Sequence, residues 1–390
     1  MTSPTLAPNH IDQKLQKNLE PILSYVAAHR FENHQRRDIK PEIITHLKTH
    51  KLLQLFQPKQ WGGLEADPRQ LYAIQNQLAH HCPSTAWVFG VLNVQAFVLS
   101  LMNPQAQQDV WGTDSATLIS SSFMPAGKAQ RVEGGVKLSG QWAFSSGSSH
   151  AQWAMLGAIL PPEQAGSPPA MTLFLVPRED YEIKDTWHTI GLCGTGSNDI
   201  VVTEAFVPTH RSFQPSPGLQ PDTEETRLAP LYRLPWLYVF TSTISNVGIG
   251  IAEQALATFL TIERQRVSGF TGKTGKEDPN VQQLAATLSA EIDSAKAMYE
   301  RHLTTLFDYI ETPQALAIDQ AMLMRTQLTS ILRKLAELID QMQQMLGGRG
   351  IRQESPFLQL WLDMCAARAH PGNDPAMMLG SYGKWLLDKE

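Results

Sequence analysis

The stretch Val132-Glu133-Gly134-Gly135-Val136-Lys137-Leu138-Ser139-Gly140-Gln141-Trp142-Ala143-Phe144-Ser145-Ser146-Gly147-Ser148-Ser149-His150-Ala151 decides the fold. Gly134-Gly135 falls where a reversal is expected, since glycine adopts the positive φ of a tight hairpin without a Cβ penalty. Around it Val132, Val136, Leu138, Trp142 and Phe144 follow a mostly alternating pattern, which predicts two antiparallel strands. The end of the stretch sets aromatic rings beside hydroxyls and a glycine. That set suits a flat heteroaromatic ligand: rings wall it, hydroxyls bond its edge, and glycine lets the backbone come close. On composition alone the same residues are a strand running into a serine-rich loop.

Outward from this hairpin, the apolar runs Trp153–Leu160, Met171–Val176 and Ile200–Val207 are separated by Gly and Pro, extending a β domain over residues 116–213. Residues 1–115 read as helical. Leu15, Leu19, Ile22, Leu23 and Val26 recur at three and four, Pro58, Gly62 and Gly63 mark a loop, and Pro83-Ser84 opens a helix through Trp87, Val91 and Leu92. Residues 214–230, with Pro215, Pro217, Pro221 and Pro230, read as a linker or mobile loop. Residues 231–390 are helical, and Gln314–Leu346 lacks Gly and Pro until Gly347-Gly348 stops it. The expected class is α+β: an N-terminal helical domain, a middle antiparallel β domain and a C-terminal helical bundle.

Composition narrows the function. The chain has 390 residues, 42% hydrophobic and 18% charged, with a net charge of -5. A nucleic-acid binder would carry a basic surplus, and a disordered chain would be less apolar. The charged fraction lies below the roughly 25% usual for soluble domains, which points to surface buried between subunits. Cys82, Cys193 and Cys365 form neither a disulfide framework nor a metal-binding spacing. With no leader-like pattern in Met1–Asn9 and no long apolar run, the expectation is a cytoplasmic protein. His80-His81-Cys82 is adjacent rather than spaced for a metal, and no metal site is expected.

Other candidate residues lie along the chain. Ser120-Ser121-Ser122 offers hydroxyl donors near a strand end. Glu263-Arg264-Gln265-Arg266 offers guanidinium groups for a phosphate or an electron-rich ring edge, or is a solvated helix face. Gly347-Gly348-Arg349-Gly350 is not GxGxxG and no strand precedes it, so a dinucleotide-binding site of that type is not supported. His370, before Pro371-Gly372, is an acid or base near neutral pH, or a structural histidine.

Several motifs in order resemble the acyl-CoA dehydrogenase superfamily over nearly the whole chain. They are Phe56-Gln57-Pro58-Lys59 with Gly62-Gly63-Leu64-Glu65, Ser84-Thr85-Ala86-Trp87, Ser120-Ser121-Ser122 with Pro125, Gly127-Lys128, Ser145-Ser146-Gly147 with His150-Ala151, Arg264 and Arg266 with Thr271-Gly272, and Ala369-His370. Within that superfamily the chain is similar to the two-component flavin-dependent monooxygenases typified by the oxygenase component of p-hydroxyphenylacetate hydroxylase. A dehydrogenase of this fold needs a carboxylate base. Pro371 stands where that Glu would be, and the alternative position, Leu234–Val239, holds no acid. Proline accepts no proton, so α-proton abstraction lacks its base.

The resemblance implies a C-terminal four-helix bundle, a homotetramer formed through the C-terminal helices, and a separate NAD(P)H:flavin reductase that supplies reduced FMN or FAD. It implies reaction with O2 through a flavin C4a-hydroperoxide and hydroxylation of a small aromatic substrate. It makes Ser145 or Ser146, near flavin N5, and His370 the catalytic expectations. Trp142, Ser120, Ser122 and Arg266 become flavin contacts, and Gly347 and Gly348 lie on the phosphate side. Asn93, Gln95, Phe97 and Ser121 become the substrate pocket. Gln95 and Phe97 stand where hydroxyphenylacetate hydroxylases carry histidines, which favours a neutral aromatic such as an indole or a phenol. The competing readings are an acyl-CoA dehydrogenase or oxidase with an atypical base, and a non-catalytic flavin-fold scaffold.

Overall fold

The computed structural model describes residues 11–162, 169–215, 229–269, 272–311 and 317–389. The segment read for a leader, Thr271 and most of the proline-rich stretch lie outside these residues. Five helices come first: α1 (Gln13–Arg36), α2 (Pro41–Thr49), α3 (Pro68–His81), α4 (Pro83–Ser100) and α5 (Pro104–Trp111). Asp12 caps α1 by accepting from the amides of Lys14 and Leu15 at 2.9 and 3.3 Å. Helices α2 to α5 each open on a proline, whose missing N–H is not needed in a first turn. Every residue of α4 is buried, so it is the central helix of this half.

Seven strands follow: β1 (Ile119–Val132), β2 (Gly135–Ser145), β3 (Trp153–Leu160), β4 (Ala170–Pro177), β5 (Tyr181–Lys184), β6 (Asn198–Pro208) and β7 (Ser212–Phe213). Their order is β5-β6-β2-β1-β3-β4-β7. The hairpin between β1 and β2 forms as expected, with Gly134 at φ 75° and Val132 opposite Gly135. The sheet is nevertheless mixed rather than antiparallel, because β1 and β3 are parallel. β2 ends beside the start of β1, and residues 146–152 step across to the other edge of β1, so β3 sets out in the direction of β1. The β1–β3 register shifts between Ser122 and Gly127, which releases Phe123 and Met124 from the ladder.

Among the described residues, the α-helices that follow are α6 (Trp236–Gln265), α7 (Pro279–Glu311), α8 (Ile318–Leu346), α9 (Pro356–Arg368) and α10 (Pro375–Asp388). α8 stops at Gly347, whose φ of 56° a glycine tolerates. One hydrophobic core joins the two helical regions, and a second lies within the sheet around Leu138, Trp142, Leu156 and Phe174. Beside the first core, Glu253 of α6 bonds Lys296 of α7 at 2.9 Å and His80 of α3 at 2.9 Å, tying three helices together. No helix among the described residues is long and apolar enough to cross a membrane.

Candidate active site

A cavity of about 490 Å³ opens where α4, the start of β1, the end of β2, the loop before β6, the start of α6 and the end of α9 converge. Trp87, Val91 and Gln95 reach it from one stripe of α4, since residues four apart share a helix face. Phe123, Phe144, Trp187, Trp236 and Phe240 give it aromatic walls. No Asp, Glu, Lys or Arg is among its described lining residues.

The polar atoms at this wall are of two kinds. Some have no protein partner: both amide atoms of Gln95, Ser120 Oγ and Trp236 Nε1 are buried and unbonded. Others are linked. Trp87 Nε1 donates to Ser146 Oγ at 3.1 Å, Ser146 and Ser197 hydroxyls meet at 2.7 Å, those of Ser197 and Thr195 at 2.7 Å, and Thr195 donates to the Leu192 carbonyl at 2.9 Å. Ser122 Oγ donates to the Ala143 carbonyl at 2.8 Å. Unbonded polar groups beside apolar rings fit a flat, heteroatom-rich ring system, because buried groups left unpaired are destabilising until a ligand bonds them.

His370 stands at the end of α9 against Trp87 and Phe240, at ring separations of 5.4 and 5.6 Å. Part of the residue is accessible from the cavity, but protein encloses the imidazole, and burial pushes its pKa down to about 4. The ring is therefore neutral near pH 7. Its Nδ1 accepts from the Gly372 amide at 3.1 Å, so the proton sits on Nε2, which serves as a donor rather than a base. Behind the cavity, Asp363 accepts from the Leu192 amide at 2.7 Å and from Gln359 at 2.7 Å. Burial outweighs these bonds and pushes its carboxyl up to about 6.

Of the residues singled out from sequence, Ser120, Ser121, Ser122, Ser146, Gln95 and His370 come together at the cavity. Ser145 is fully buried with an unbonded hydroxyl but is not a lining residue; adjacent strand residues face opposite sides. Trp142, expected to wall the cofactor, lies in the sheet core with its indole donating to the Gly157 carbonyl at 2.7 Å. Asn93 and Phe97 sit two residues either side of Gln95 and so point elsewhere on α4. Asn93 bonds the backbone of Leu55, Leu52 and Phe89, and Phe97 packs on Phe56 and Tyr232. Arg266 is paired with Glu263 at 2.6 Å and Asp278 at 3.0 Å, and Gly347 and Gly348 are exposed. None of these three lines the cavity. Sequence reasoning missed Trp187, Leu192, Thr195, Ser197, Trp236 and Phe240. The Gly191, Gly194 and Gly196 spacing was the one local hint of a tightly packed loop.

A model of the acyl-CoA dehydrogenase C-terminal domain matches residues 242–375. The oxygenase subunit HsaA of a flavin-dependent monooxygenase from Rhodococcus jostii is 34% identical over 94% of this chain and 96% of its own. The crystal structure of 3-HSA hydroxylase from Rhodococcus sp. RHA1 superposes with a TM-score of 0.88 at 31% identity, covering 98% of both chains. XiaF from Streptomyces sp., solved in complex with FADH2 and glycerol, gives a TM-score of 0.87 at 25% identity over 96% of this chain and 95% of its own.

Proposed function

The chain belongs to the oxygenase components of flavin-dependent monooxygenases built on the acyl-CoA dehydrogenase fold, and from that premise we propose that its cavity hydroxylates a small, neutral aromatic substrate, a phenol or an indole. The observation that carries the substrate reading is a cavity walled by aromatic rings, with the unpaired Gln95 amide and no charged side chain among the described lining residues. Gln95 offers one donor and one acceptor side by side, which suits a hydroxyl or a ring N–H better than a carboxylate. A substrate carboxylate would find no cation among the described lining residues and would lose its hydration without compensation.

When bound, reduced FMN or FAD supplies the electrons that activate O2, and one oxygen atom goes to the substrate. The chain's own residues do the rest. Ser120, Ser122 and Ser146 bond the polar edge of the ring system, while Trp87, Trp187, Trp236 and Phe240 exclude water. The neutral His370 donates from Nε2 toward the reacting oxygen. Water exclusion matters because leakage to hydrogen peroxide competes with transfer. No carboxylate is among the described lining residues, which argues against a dehydrogenase with an atypical base.

The assembly and its supply belong to the same proposal. A separate NAD(P)H:flavin reductase delivers the reduced cofactor. The protein works as a cytoplasmic homotetramer, a reading supported by unpaired cysteines and by the exposed Ile318 and Leu323 on α8 and Leu386 and Leu387 on α10. In that assembly Arg266 contacts the flavin, and Gly347 and Gly348, exposed at the end of α8, lie on its phosphate side.

The test supplies any flavin reductase, NADH, and FMN or FAD, and screens neutral phenols and indoles against their carboxylated counterparts by mass spectrometry. Oxygenated product from the neutral series is expected. Turnover confined to the carboxylates, or no product with either flavin, overturns the reading.

A further inference from the structure

His370 serves as a donor only while its ring keeps one orientation, and the turn that follows it sets that orientation. The Gly372 amide donates to Nδ1 at 3.1 Å, and an added Cβ on Gly372 would stand 2.9 Å from the Phe240 ring and 3.0 Å from His370 Cε1. A larger residue would push the amide off the imidazole, so the approach needs glycine. A backbone N–H only donates, so this bond favours the neutral ring with its proton on Nε2 and opposes a proton on Nδ1. Trp87 of α4 and Phe240 of α6 flank the ring, and no Asp, Glu, Lys or Arg is among the described lining residues around it.

The turn is itself anchored. Asn373 closes it, donating its backbone N–H to the His370 carbonyl at 3.0 Å. Its side-chain amide meets the Ser245 hydroxyl on α6 at 2.7 Å, and Ser245 meets the Leu328 carbonyl on α8 at 2.9 Å. Asn373 and Ser245 are both buried, so solvent does not compete for either bond. One helix, α6, thus carries Phe240, which packs on the His370 ring, and Ser245, which holds the turn. The Oδ1 atom of Asn373 is buried without a partner. An apolar residue of similar size would leave no such atom, so this amide serves position at a cost in stability.

We propose that Asn373 and Ser245 are positioning residues: together they hold the Gly372 amide against Nδ1, and so keep His370 a neutral donor aimed from Nε2 into the cavity. Neither is among the described lining residues, so both act through His370. This rests on the reading of the cavity as the site of oxygen transfer.

The test follows His370 directly, by NMR of the full-length protein with histidine carbon-labelled at Cε1. The resonance that disappears in His370→Phe identifies the ring. In the wild type it should stay neutral down to about pH 4. Asn373→Leu and Ser245→Ala should each raise its pKa by about one unit, the worth of the lost Gly372 bond. Asn373→Leu should do so with an equal or higher melting temperature, a result that a merely structural residue would not give. The two changes together should do no more than either alone, because they break one link. Thr329→Val removes a buried hydroxyl that bonds its own helix beside Leu328, and should leave His370 unmoved while lowering the melting temperature. In turnover of a neutral phenol or indole, each positioning variant should lose about tenfold in kcat with KM little changed, the rate equivalent of one hydrogen bond. An unmoved His370 in either variant, or an equal shift in Thr329→Val, overturns the proposal while the monooxygenase reading stands. Wild-type protein that forms no oxygenated product with either flavin overturns that reading, and this inference with it.

Discussion

Glu253 on α6 meets Lys296 and His80 with its two oxygens, whereas Gln95 on α4, which is no more exposed, has neither amide atom bonded. Both are long polar side chains inside helical structure. The first is held by groups from α3 and α7 and serves the fold. The second opens on a cavity with aromatic walls and waits for a ligand. A buried polar group is retained either because protein satisfies it or because something else will, and the bonding inventory separates the two cases. The cavity serines lie between the two cases: Ser122 gives its proton to the Ala143 carbonyl and keeps lone pairs for a ligand, whereas Ser120 has no bond at all.

The largest expected effect tests the satisfied side. Glu253→Gln leaves the Lys296 ammonium buried without its carboxylate, and chemical denaturation should record a loss of about 3–5 kcal/mol. A loss below about 1 kcal/mol would mean the cluster does not hold the three helices. Next, Gln95→Leu removes two unbonded polar atoms and should leave the melting temperature equal or higher. It should lower kcat/KM for a phenol about tenfold while sparing an analogue without the hydroxyl. Equal losses on both substrates would make Gln95 a packing residue.

The smallest effect concerns His370. Below about pH 6.5 the unfolded chain takes up a proton on this histidine, whereas the folded ring stays neutral until about 4. The unfolded state binds more protons across that window, so stability falls as pH drops from about 6.5 toward 4 and levels off below. His302, also pushed down to about 4 by burial, adds to the same slope. His370→Phe should therefore lessen, not abolish, the drop in melting temperature between pH 7 and 4.5. An undiminished drop would remove His370 from the linkage.

Much of the site was legible locally, and its failures have one cause. Ser120, Ser122 and His370, named through the family resemblance, line the cavity; their residue types alone left a polar turn and a structural histidine equally open. Asn93 and Phe97 were chosen with Gln95 as neighbours in sequence, yet positions two apart on a helix diverge by about 200°. Trp87 and Val91, eight and four residues before Gln95, share its face and were legible only as helix residues. Trp142 was an apt aromatic in the right motif, but strand alternation sends it to the sheet core, and Trp187 and Trp236 take up the wall. The parallel pairing of β1 with β3 escaped notice because hairpin signals report only consecutive strands.

The amino-acid order by itself determined the succession of helices, sheet and helices, the hairpin at Gly134-Gly135, and a proline where a dehydrogenase base would stand. The first two follow from local periodicity and turn chemistry, and the third from the family resemblance read at one position. Only the tertiary structure decided which of two adjacent serines faces the cavity, and which groups its hydroxyl meets there. That outcome needs Trp87 and Ser146, 59 residues apart, and Ser146 and Ser197, 51 apart, within bonding distance. Hydrogen bonding is short-ranged and directional, so its sense is set by which groups packing brings together, not by which residues follow one another in the chain.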